Sequence, residues 1–561
     1  MDDLPGRLLA HALENAVRHR STPRAGAIIG AVMGRYPKFR SRASEARALI
    51  DGVIAEVDAL SHEEREARLA ALAPELLQVH AEQARDRYSL PPLPGADNGV
   101  VMRFAPNPSG PLHLGHARAA VLNDAYVRQY GGRYILRIED TDPKRVDPEA
   151  YETVPNDIAW LGCAITETVY QSDRLEIYYE HARRLIERGG AYLCTCENER
   201  FRELRQARRP CPCRGTEAEE SLARFEAMLE GAYGEGEASL RVRTDLGHPD
   251  PALRDFPAFR VLTSTLHPRV DAIVYPLMNF SVAVDDHLLG CTHVIRGKDH
   301  IANTRRQQFI YDWFGWTPPH FCHYGRMGIE GVVLSTSEMR AGIAEGRYEG
   351  WDDIRLGTLR ALARRGIRPE AVRRSMLAIG CGETDIQFSW ENLFAENRRL
   401  VDPEAERLWF VPGPVPVEVH GAHPQVARPL RHPGDPARGT RELAFERVVL
   451  VPGDEIGDDT SMIRLKDLFN VRVARDGERI RFAYAGDDLA AAREAHAPIV
   501  QWLPLGDTLP CTLRRPEGDM VGACEPLVAE RVDRVVQFER VGFARIDRAG
   551  PDGVIAYLTH R

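Results

Sequence analysis

Lysine is scarce in this chain of 561 residues: only Lys38, Lys144, Lys298 and Lys466 occur, although Lys and Arg together number 73. We attribute the preference for arginine to genome composition, and it makes the position of each lysine informative. No apolar run approaches the about 20 residues of a membrane span. The N-terminus, Met-Asp-Asp-Leu, lacks a basic segment and an apolar core, so we expect no secretory signal, no membrane association and a cytoplasmic protein.

The bulk composition excludes other classes of protein. Ten cysteines in a long chain without a signal do not indicate a disulfide framework. A net charge of −9 does not indicate nucleic-acid binding, although a whole-chain sum leaves room for a basic face. The content of 43% hydrophobic and 28% charged residues is typical of soluble globular proteins. The length predicts roughly three to five domains.

The most informative stretch is 103–116, which reads RFAPNPSGPLHLGH. The pattern predicts a short buried strand over 99–104, a rigid Pro/Gly loop and a helix over 117–129. A helix N-terminus after a strand and a tight loop is suited to a phosphate, because free backbone N–H groups and the helix dipole point at the anion. His113 and His116 add donors for charge that develops on a phosphate. The alternative is a structural histidine pair in an unrelated α/β protein.

This stretch resembles the His-x-Gly-His signature of class I aminoacyl-tRNA synthetases, and its flanking residues resemble the glutamyl and glutaminyl branch. The resemblance is strong over 98–400, and the β-rich tail and helical N-terminus are similar to the archaeal type. It implies a multidomain α/β fold with a class I Rossmann-like catalytic domain, an acceptor-binding insertion, helical domains and a C-terminal β-barrel anticodon-binding region. It also implies ATP-dependent activation of glutamate and transfer to tRNA-Glu. Whether tRNA-Gln is also charged stays open.

Composition and periodicity predict the boundaries of six segments, and the resemblance implies a role for each of them. The expected parts are an N-terminal helical extension at 1–95, the first half of the catalytic domain at 96–192, a zinc-bearing insertion for the tRNA acceptor end at 193–275, the second half of the catalytic domain at 276–340, a helical connecting domain at 341–395 and a β-barrel anticodon-binding region at 396–561.

A strand-end arginine, Arg296, predicts the amino-acid preference. Its planar fork binds two carboxylate oxygens, and the resemblance implies that it meets the substrate side chain. Glutaminyl relatives have a neutral residue there, so Arg296 favours glutamate. The alternative is a structural ion pair of Arg296 with Asp285 or Asp286. At Met278 several relatives have an aromatic residue that lines the pocket.

The resemblance also assigns the other site residues. Glu139, the first of three acids after a predicted strand, is implied to contact the substrate amino group. The implied residues are Arg103, Ala105, Glu139 and Arg296 for glutamate; Pro106, Asn107, Gly110, His113, Gly115 and His116 for ATP; and His113, His116, Ser335 and Ser337 for catalysis.

Two Cys-x-Cys pairs, Cys194/Cys196 and Cys211/Cys213, predict a metal site. Two close thiolate pairs supply the tetrahedral four-sulfur shell that Zn²⁺ prefers. Similar synthetases carry zinc in the insertion that grips the tRNA acceptor end. Four unliganded thiols are the alternative.

The segment 334–340 stands where class I enzymes carry a mobile loop with lysines for the ATP phosphates. Ser335 and Ser337 fit that pattern, whereas Thr336 and Glu338 replace the lysines. We hypothesise that the loop closes over ATP through its serines and backbone N–H groups, with Arg340 or Lys298 supplying charge. The alternative is a solvated surface loop.

The implied substrates are glutamate, tRNA-Glu and ATP, with Mg²⁺ accompanying the ATP, and we expect a monomer. Two other functions stay open. A glutamine-specific ligase conflicts with Arg296. A catalytically silent synthetase-like protein that binds tRNA is motivated by Glu338.

Overall fold

The computed structural model describes residues 3–19, 22–76, 87–97, 99–457, 460–476 and 479–561. The chain divides into two compact units, Met1–Ser89 and Leu90–Arg561. Within the described ranges, every helix is too short or too polar to cross a lipid bilayer.

The first unit is helical, as its apolar spacing predicts. Buried residues of its helices, such as Leu8, Leu13, Ile28 and Ile50, form one hydrophobic cluster. Its helices are α1 (Leu4–His19), α2 (Ala25–Arg35), α3 (Ala43–Asp58) and α4 (His62–Leu72). Helix α4 begins at a reciprocal cap, in which Ser61 accepts from the Glu64 N–H and the Glu64 side chain accepts from the Ser61 N–H.

The second unit begins with a parallel sheet that forms the base of the site. Its elements are β1 (Val100–Phe104), α5 (Leu114–Tyr130), β2 (Gly132–Ile138), α6 (Ala150–Trp160) and β3 (Glu167–Tyr170). The strands lie in the order β1-β2-β3, with each crossover made through a helix. Helix α5 begins earlier than the predicted residue 117, because the His113 side chain caps it.

An antiparallel sheet and its helices interrupt this α/β pattern. The elements are α7 (Leu175–Glu187), β4 (Ala191–Cys194), α8 (Asn198–Gln206), α9 (Ala218–Leu229), β5 (Ser239–Val242), β6 (Pro257–Val261) and β7 (Val274–Pro276). The strand order is β4-β5-β6-β7. Buried Phe225, Phe259 and Tyr275 belong to the hydrophobic cluster that holds helices and sheet together.

The parallel pattern then resumes beside β1. Its elements are α10 (Met278–Leu288), β8 (His293–Gly297), α11 (Ile301–Phe314) and β9 (His320–Tyr324). The Thr292 N–H donates to the Val101 carbonyl at 2.9 Å, which brings the start of β8 next to β1. The carboxyl ends of β1, β2 and β8 therefore meet at one edge.

Short strands and helices connect this part to the tail. They are β10 (Met327–Gly328), α12 (Thr336–Ala344), α13 (Leu359–Arg364), α14 (Pro369–Ile379), β11 (Ile386–Gln387) and α15 (Trp390–Val401). Helix α15 is continuous across the predicted domain boundary between residues 395 and 396.

The tail is rich in strands, as predicted. One seven-stranded sheet has the order β12-β25-β26-β27-β23-β24-β13 and the other the order β21-β18-β19-β20-β14-β17-β22. Fully buried Trp409 and Trp502 pack edge to face in the core. The elements are β12 (Arg407–Leu408), β13 (Phe410–Pro412), β14 (Pro414–His420), β15 (Gln425–Ala427), β16 (Leu443–Phe445), β17 (Val448–Pro452), β18 (Met462–Leu465), β19 (Asn470–Asp476), β20 (Arg479–Tyr484), α16 (Leu489–Glu494), β21 (Ile499–Val500), β22 (Leu503–Pro504), β23 (Leu509–Arg514), β24 (Met520–Cys524), β25 (Val535–Phe538), β26 (Gly542–Gly550) and β27 (Gly553–His560).

Candidate functional site

A cavity of about 500 Å³ lies at the carboxyl ends of β1, β2 and β8. Parallel α/β sheets bind their ligands at this edge, because helix N-termini and strand ends converge there. The cavity lining includes these predicted residues: Arg103, Ala105, Pro106, Asn107, Gly115, His116, Glu139 and Arg296. It does not include Gly110, His113, Ser335 or Ser337.

The two signature histidines are hydrogen-bonded at the start of α5. His113 Nδ1 accepts from the Gly115 N–H at 3.1 Å, and His116 Nδ1 accepts from the His113 N–H at 3.3 Å. A ring nitrogen that accepts leaves the proton on the other nitrogen, so both rings carry it on Nε2. Burial lowers the pKa of His113 to about 4 and that of His116 well below its usual value. Both rings are therefore neutral Nε2–H donors at pH 7.

Two arginines and two acids form a buried network on the floor of the site. Asp286 Oδ1 accepts from Arg137 Nη1 at 2.7 Å and from Arg103 Nε at 3.2 Å. Arg137 Nη2 also donates to Glu139 Oε1 at 3.1 Å. Burial alone would favour the neutral acid, but the two guanidinium groups hold the pKa of Asp286 at about 2. Burial raises the pKa of Glu139 despite the opposing effects of Arg137 and Arg103.

Arg137 is a site residue that the sequence analysis missed. Its side chain is 0% exposed, and it orients the predicted ammonium ligand Glu139. A signal was available in the sequence: Arg137 lies in the apolar second half of β2, two residues before Glu139, and alternate residues of a strand share a face. The polar lining residues that went unpredicted include Arg145, Gln171, Arg260, His300 and Tyr324.

Arg296 is held by neutral partners. Its Nη2 donates to Thr304 Oγ1 at 2.5 Å and to Gln307 Oε1 at 2.8 Å, and its guanidinium lies 4.8 Å from the centroid of the Phe321 ring. Burial lowers the pKa of Arg296 to about 10, which keeps the side chain charged at pH 7.

The alternative ion pairs of Arg296 do not form. Asp286 pairs with Arg103 and Arg137 instead, and Asp285 pairs with Arg174 at 2.8 Å. Across the part of the chain that the structure describes, no carboxylate lies within ion-pair distance of Arg296.

The four predicted zinc ligands lie together. Cys194 Sγ is 3.9 Å from Cys211 Sγ, and Cys196 Sγ is 3.7 Å from Cys213 Sγ. The sulfurs of Cys194, Cys196 and Cys213 all lie within 4.8 Å of one another. A tetrahedral ion with Zn–S bonds of about 2.3 Å separates its sulfurs by about 3.8 Å. The group of Cys194, Cys196 and Cys213 is thus compact enough to hold one metal ion, whereas Cys211 lies beside Cys194 outside that group of three.

The segment 334–340 is not the loop that the sequence predicted. Helix α12 begins at Thr336, because Ser335 Oγ accepts from the Glu338 N–H and Met339 is buried in the core. Ser335 and Ser337 lie side by side, with their hydroxyl oxygens 3.1 Å apart.

The two cations proposed for this segment already have acidic partners. Arg340 Nη2 donates to Asp147 Oδ2 at 2.7 Å and to the Ser109 carbonyl at 2.5 Å. Lys298 Nζ lies 2.8 Å from Asp385 Oδ1. Neither side chain lines the cavity, whereas Arg145 and Arg260 do.

The chain matches two family models. Residues 99–402 match the tRNA synthetases class I (E and Q), catalytic domain. Residues 405–484 match the tRNA synthetases class I (E and Q), anti-codon binding domain.

Full-length relatives agree with the family models. The chain is 59% identical over 562 residues to the glutamate–tRNA ligase of Methanospirillum hungatei and 60% identical over 559 residues to that of Methanoculleus marisnigri, with 100% of each chain covered. A solved glutamate tRNA ligase of Elizabethkingia meningosepticum is similar at 22% identity and a TM-score of 0.40, over 55% of this chain and 70% of that one. This chain belongs to the class I aminoacyl-tRNA synthetases of the glutamyl and glutaminyl branch.

Proposed function

We propose that this protein is a glutamate–tRNA ligase, which activates glutamate with ATP and transfers it to the 3′ end of tRNA-Glu. One observation carries the amino-acid assignment: Arg296 is a buried cation at the cavity with no carboxylate partner among the described residues. A glutamate side chain would supply the missing anion. The full-length relatives named glutamate–tRNA ligase support the same activity.

The activation step joins a carboxylate to a phosphate. An oxygen of the glutamate α-carboxylate attacks the α-phosphorus of ATP, the bond to the β-phosphate oxygen breaks, and glutamyl-adenylate and pyrophosphate result. His113 and His116 present neutral Nε2–H donors at a helix N-terminus, which suits them to the charge on the α-phosphate in the transition state. Mg²⁺ enters with ATP as part of that substrate.

The substrate is oriented from both ends. Glu139 is placed to accept from the ammonium group, and Arg137 orients Glu139 through a 3.1 Å hydrogen bond. At the other end Arg296 would meet the side-chain carboxylate, and Arg103, which is held by Asp286, would support that end. When the ammonium group and the side chain of glutamate are both held, the α-carboxylate faces the nucleotide. Such positioning of the two reactants contributes much of the rate of the activation step. In the second step, a hydroxyl of the terminal tRNA ribose attacks the acyl carbon and AMP leaves.

The remaining parts of the chain are proposed to hold tRNA. Residues 193–275 would contact the acceptor end, with Zn²⁺ held by Cys194, Cys196, Cys211 and Cys213. The ion would cross-link β4 to the turn that follows α8, which is a structural role. Residues 396–561 would read the anticodon, which the matching anticodon-domain model supports. The other predicted boundaries, a monomeric state and a cytoplasmic location stay part of this proposal.

Charging of purified tRNA-Glu and tRNA-Gln with glutamate and with glutamine tests the function. We expect glutamate to be attached to tRNA-Glu, with glutamine a poor substrate. A preference for glutamine would favour the glutamine-specific alternative. Binding of tRNA without any charging, or without pyrophosphate exchange in the presence of tRNA, would identify a silent synthetase-like protein. Charging of tRNA-Gln with glutamate would show that both tRNAs are substrates.

A further inference from the structure

We propose that Gln307 is a positioning residue that sets the amino-acid preference, because it holds Arg296 in place without neutralising its charge. The proposal rests on the function proposed above for the cavity. It concerns a side chain that does not line the cavity and acts only through Arg296.

The contacts of Gln307 are specific. Its side chain is 0% exposed on α11, and its Oε1 accepts from Arg296 Nη2 at 2.8 Å. Thr304 lies three residues earlier on the same helix face and accepts from the same nitrogen at 2.5 Å. Thr304 is itself held by His323 Nε2, 2.9 Å from its Oγ1. The guanidinium is thus fixed by two neutral oxygens.

The identity of the Gln307 atom that meets Arg296 follows from chemistry. A guanidinium only donates hydrogen bonds, so the amide must present its oxygen to Arg296. Its Nε2 then points away. Among the described residues, Gln307 Nε2 and Arg296 Nε are both buried without a hydrogen-bond partner. Of these two donors only Arg296 Nε belongs to a residue that lines the cavity, where it suits an acceptor oxygen of a carboxylate.

The balance of charges on the floor of the site also favours a substrate with a side-chain carboxylate. Four positive charges face three negative ones, and each acid lies within ion-pair distance of an arginine other than Arg296. The positive residues are Arg103, Arg137, Arg174 and Arg296, and the negative ones are Asp285, Asp286 and Glu139. The surplus charge is that of Arg296. A buried cation without a counter-ion is costly, and a glutamate side chain would balance it. A glutamine side chain would leave it unbalanced.

The residue type at 307 is decisive in this scheme. A glutamate there would have almost the same shape as glutamine, but it would place a resident carboxylate beside Arg296. The substrate carboxylate would then meet a neutralised cation and a like charge. Gln307→Glu is therefore expected to weaken glutamate binding and to shift the preference toward glutamine.

The test is amino-acid-dependent pyrophosphate exchange on the full-length protein with tRNA present. We expect Gln307→Glu to raise the glutamate KM on the order of 100-fold, with a smaller change in kcat. The ratio of kcat/KM for glutamine to that for glutamate should rise, and the ATP KM should stay within about twofold of the parent value. Gln307→Met, which keeps the shape and removes the oxygen, should raise the glutamate KM about tenfold without any gain for glutamine.

A matched control is Gln308→Glu, which adds the same charge to the next position of α11, where the side chain bonds Asp312 instead of Arg296. It should leave both amino-acid KM values unchanged. The proposal is overturned if Gln307→Glu keeps the parent glutamate KM, or if it weakens glutamate, glutamine and ATP equally. If Gln307→Glu does not fold, Gln307→Met decides by the same KM comparison. Failure of the parent to catalyse glutamate-dependent exchange would instead contradict the proposed function.

Discussion

The imidazole rings of His113 and His116 lie against each other at the start of α5, with centroids 3.8 Å apart and planes tilted by 30°. Two protonated rings at that distance would repel each other, and burial opposes protonation of either one. Each Nδ1 accepts a backbone N–H. The pair is thus held as two neutral rings that share one tautomer, before any nucleotide binds.

The pair should therefore titrate in acid. In an unfolded chain a histidine has a pKa of about 6.5, whereas burial lowers the pKa of His113 to about 4 in the folded protein. Between these values the unfolded state binds more protons, so the free energy of unfolding falls as the pH falls through this window. Above the window the contribution of His113 to stability is fully present. Histidine Cε1 NMR shifts of the parent, assigned with His113→Gln, should titrate near pH 4. A midpoint at the ordinary value would contradict the buried, neutral pair.

The donor role of His116 is tested by its removal. We expect His116→Ala to lower kcat for pyrophosphate exchange by about 10²–10³-fold, because a lost transition-state donor typically has this effect. The glutamate KM should change little. His181→Ala is a useful control, since that buried histidine bonds the Ile177 carbonyl and does not line the cavity. Equal losses in both variants would indicate a folding defect and contradict the donor role.

Arg296 is expected to determine the affinity for glutamate. Arg296→Ala should reduce kcat/KM for glutamate by a factor that corresponds to roughly 3–5 kcal/mol of lost transition-state stabilisation. This is the usual effect of leaving a buried charge unpaired. Arg296→Lys should recover only part of it, because an ammonium cannot reproduce the planar fork. Steady-state exchange kinetics with varied glutamate give the comparison. Near-parent glutamate kinetics in Arg296→Ala would show that the side-chain role is wrong.

The cysteine cluster predicts about one equivalent of zinc per chain. Metal analysis of extensively washed protein measures it directly. We expect Cys194→Ser to lose the metal and to impair tRNA charging more than pyrophosphate exchange, because the cluster lies in the insertion and not in the cavity lining. Cys322→Ser, outside the cluster, should keep the metal. Full charging activity in zinc-free protein would show that the metal is not needed for the reaction.

Arg340 connects α12 to the loop before α5. It donates to the Ser109 carbonyl and to Asp147, and a Cβ on Gly110 would lie only 2.8 Å from Thr336 Cγ2. Arg340 therefore holds the capped start of α12 against the loop that precedes the histidines.

Two variants separate this bridging role from a direct charge on ATP. If Arg340 only bridges, Arg340→Ala and Asp147→Asn should both raise the ATP KM by up to about fivefold, in line with an exposed ion pair. If it supplies charge to the phosphates, Arg340→Ala should be the more damaging by far. Lys298→Ala should resemble the parent, since Lys298 pairs with Asp385. A gain of activity in Glu338→Lys would show that α12 approaches the phosphates.

The class of the fold, the family and eight of the residues that line the cavity could be predicted from the sequence. The positions of His116, Glu139 and Arg296 could be predicted because they follow from local rules: a strand, a tight loop and a helix N-terminus place groups in a fixed order. The grouping of the four cysteines could be predicted because the spacing of metal ligands is a local feature of the sequence.

Which charged groups pair with each other depends on the tertiary structure. Asp286 pairs with Arg103 and Arg137 across separate strands and leaves Arg296 to the neutral oxygens of Thr304 and Gln307. Segment 334–340 became a helix because the cap at Ser335 and the burial of Met339 favour it. The two partners of Asp286 lie more than a hundred positions away in the chain and meet it in a weakly solvated interior. There the strength of a charge is set by its neighbours and not by its place in the chain.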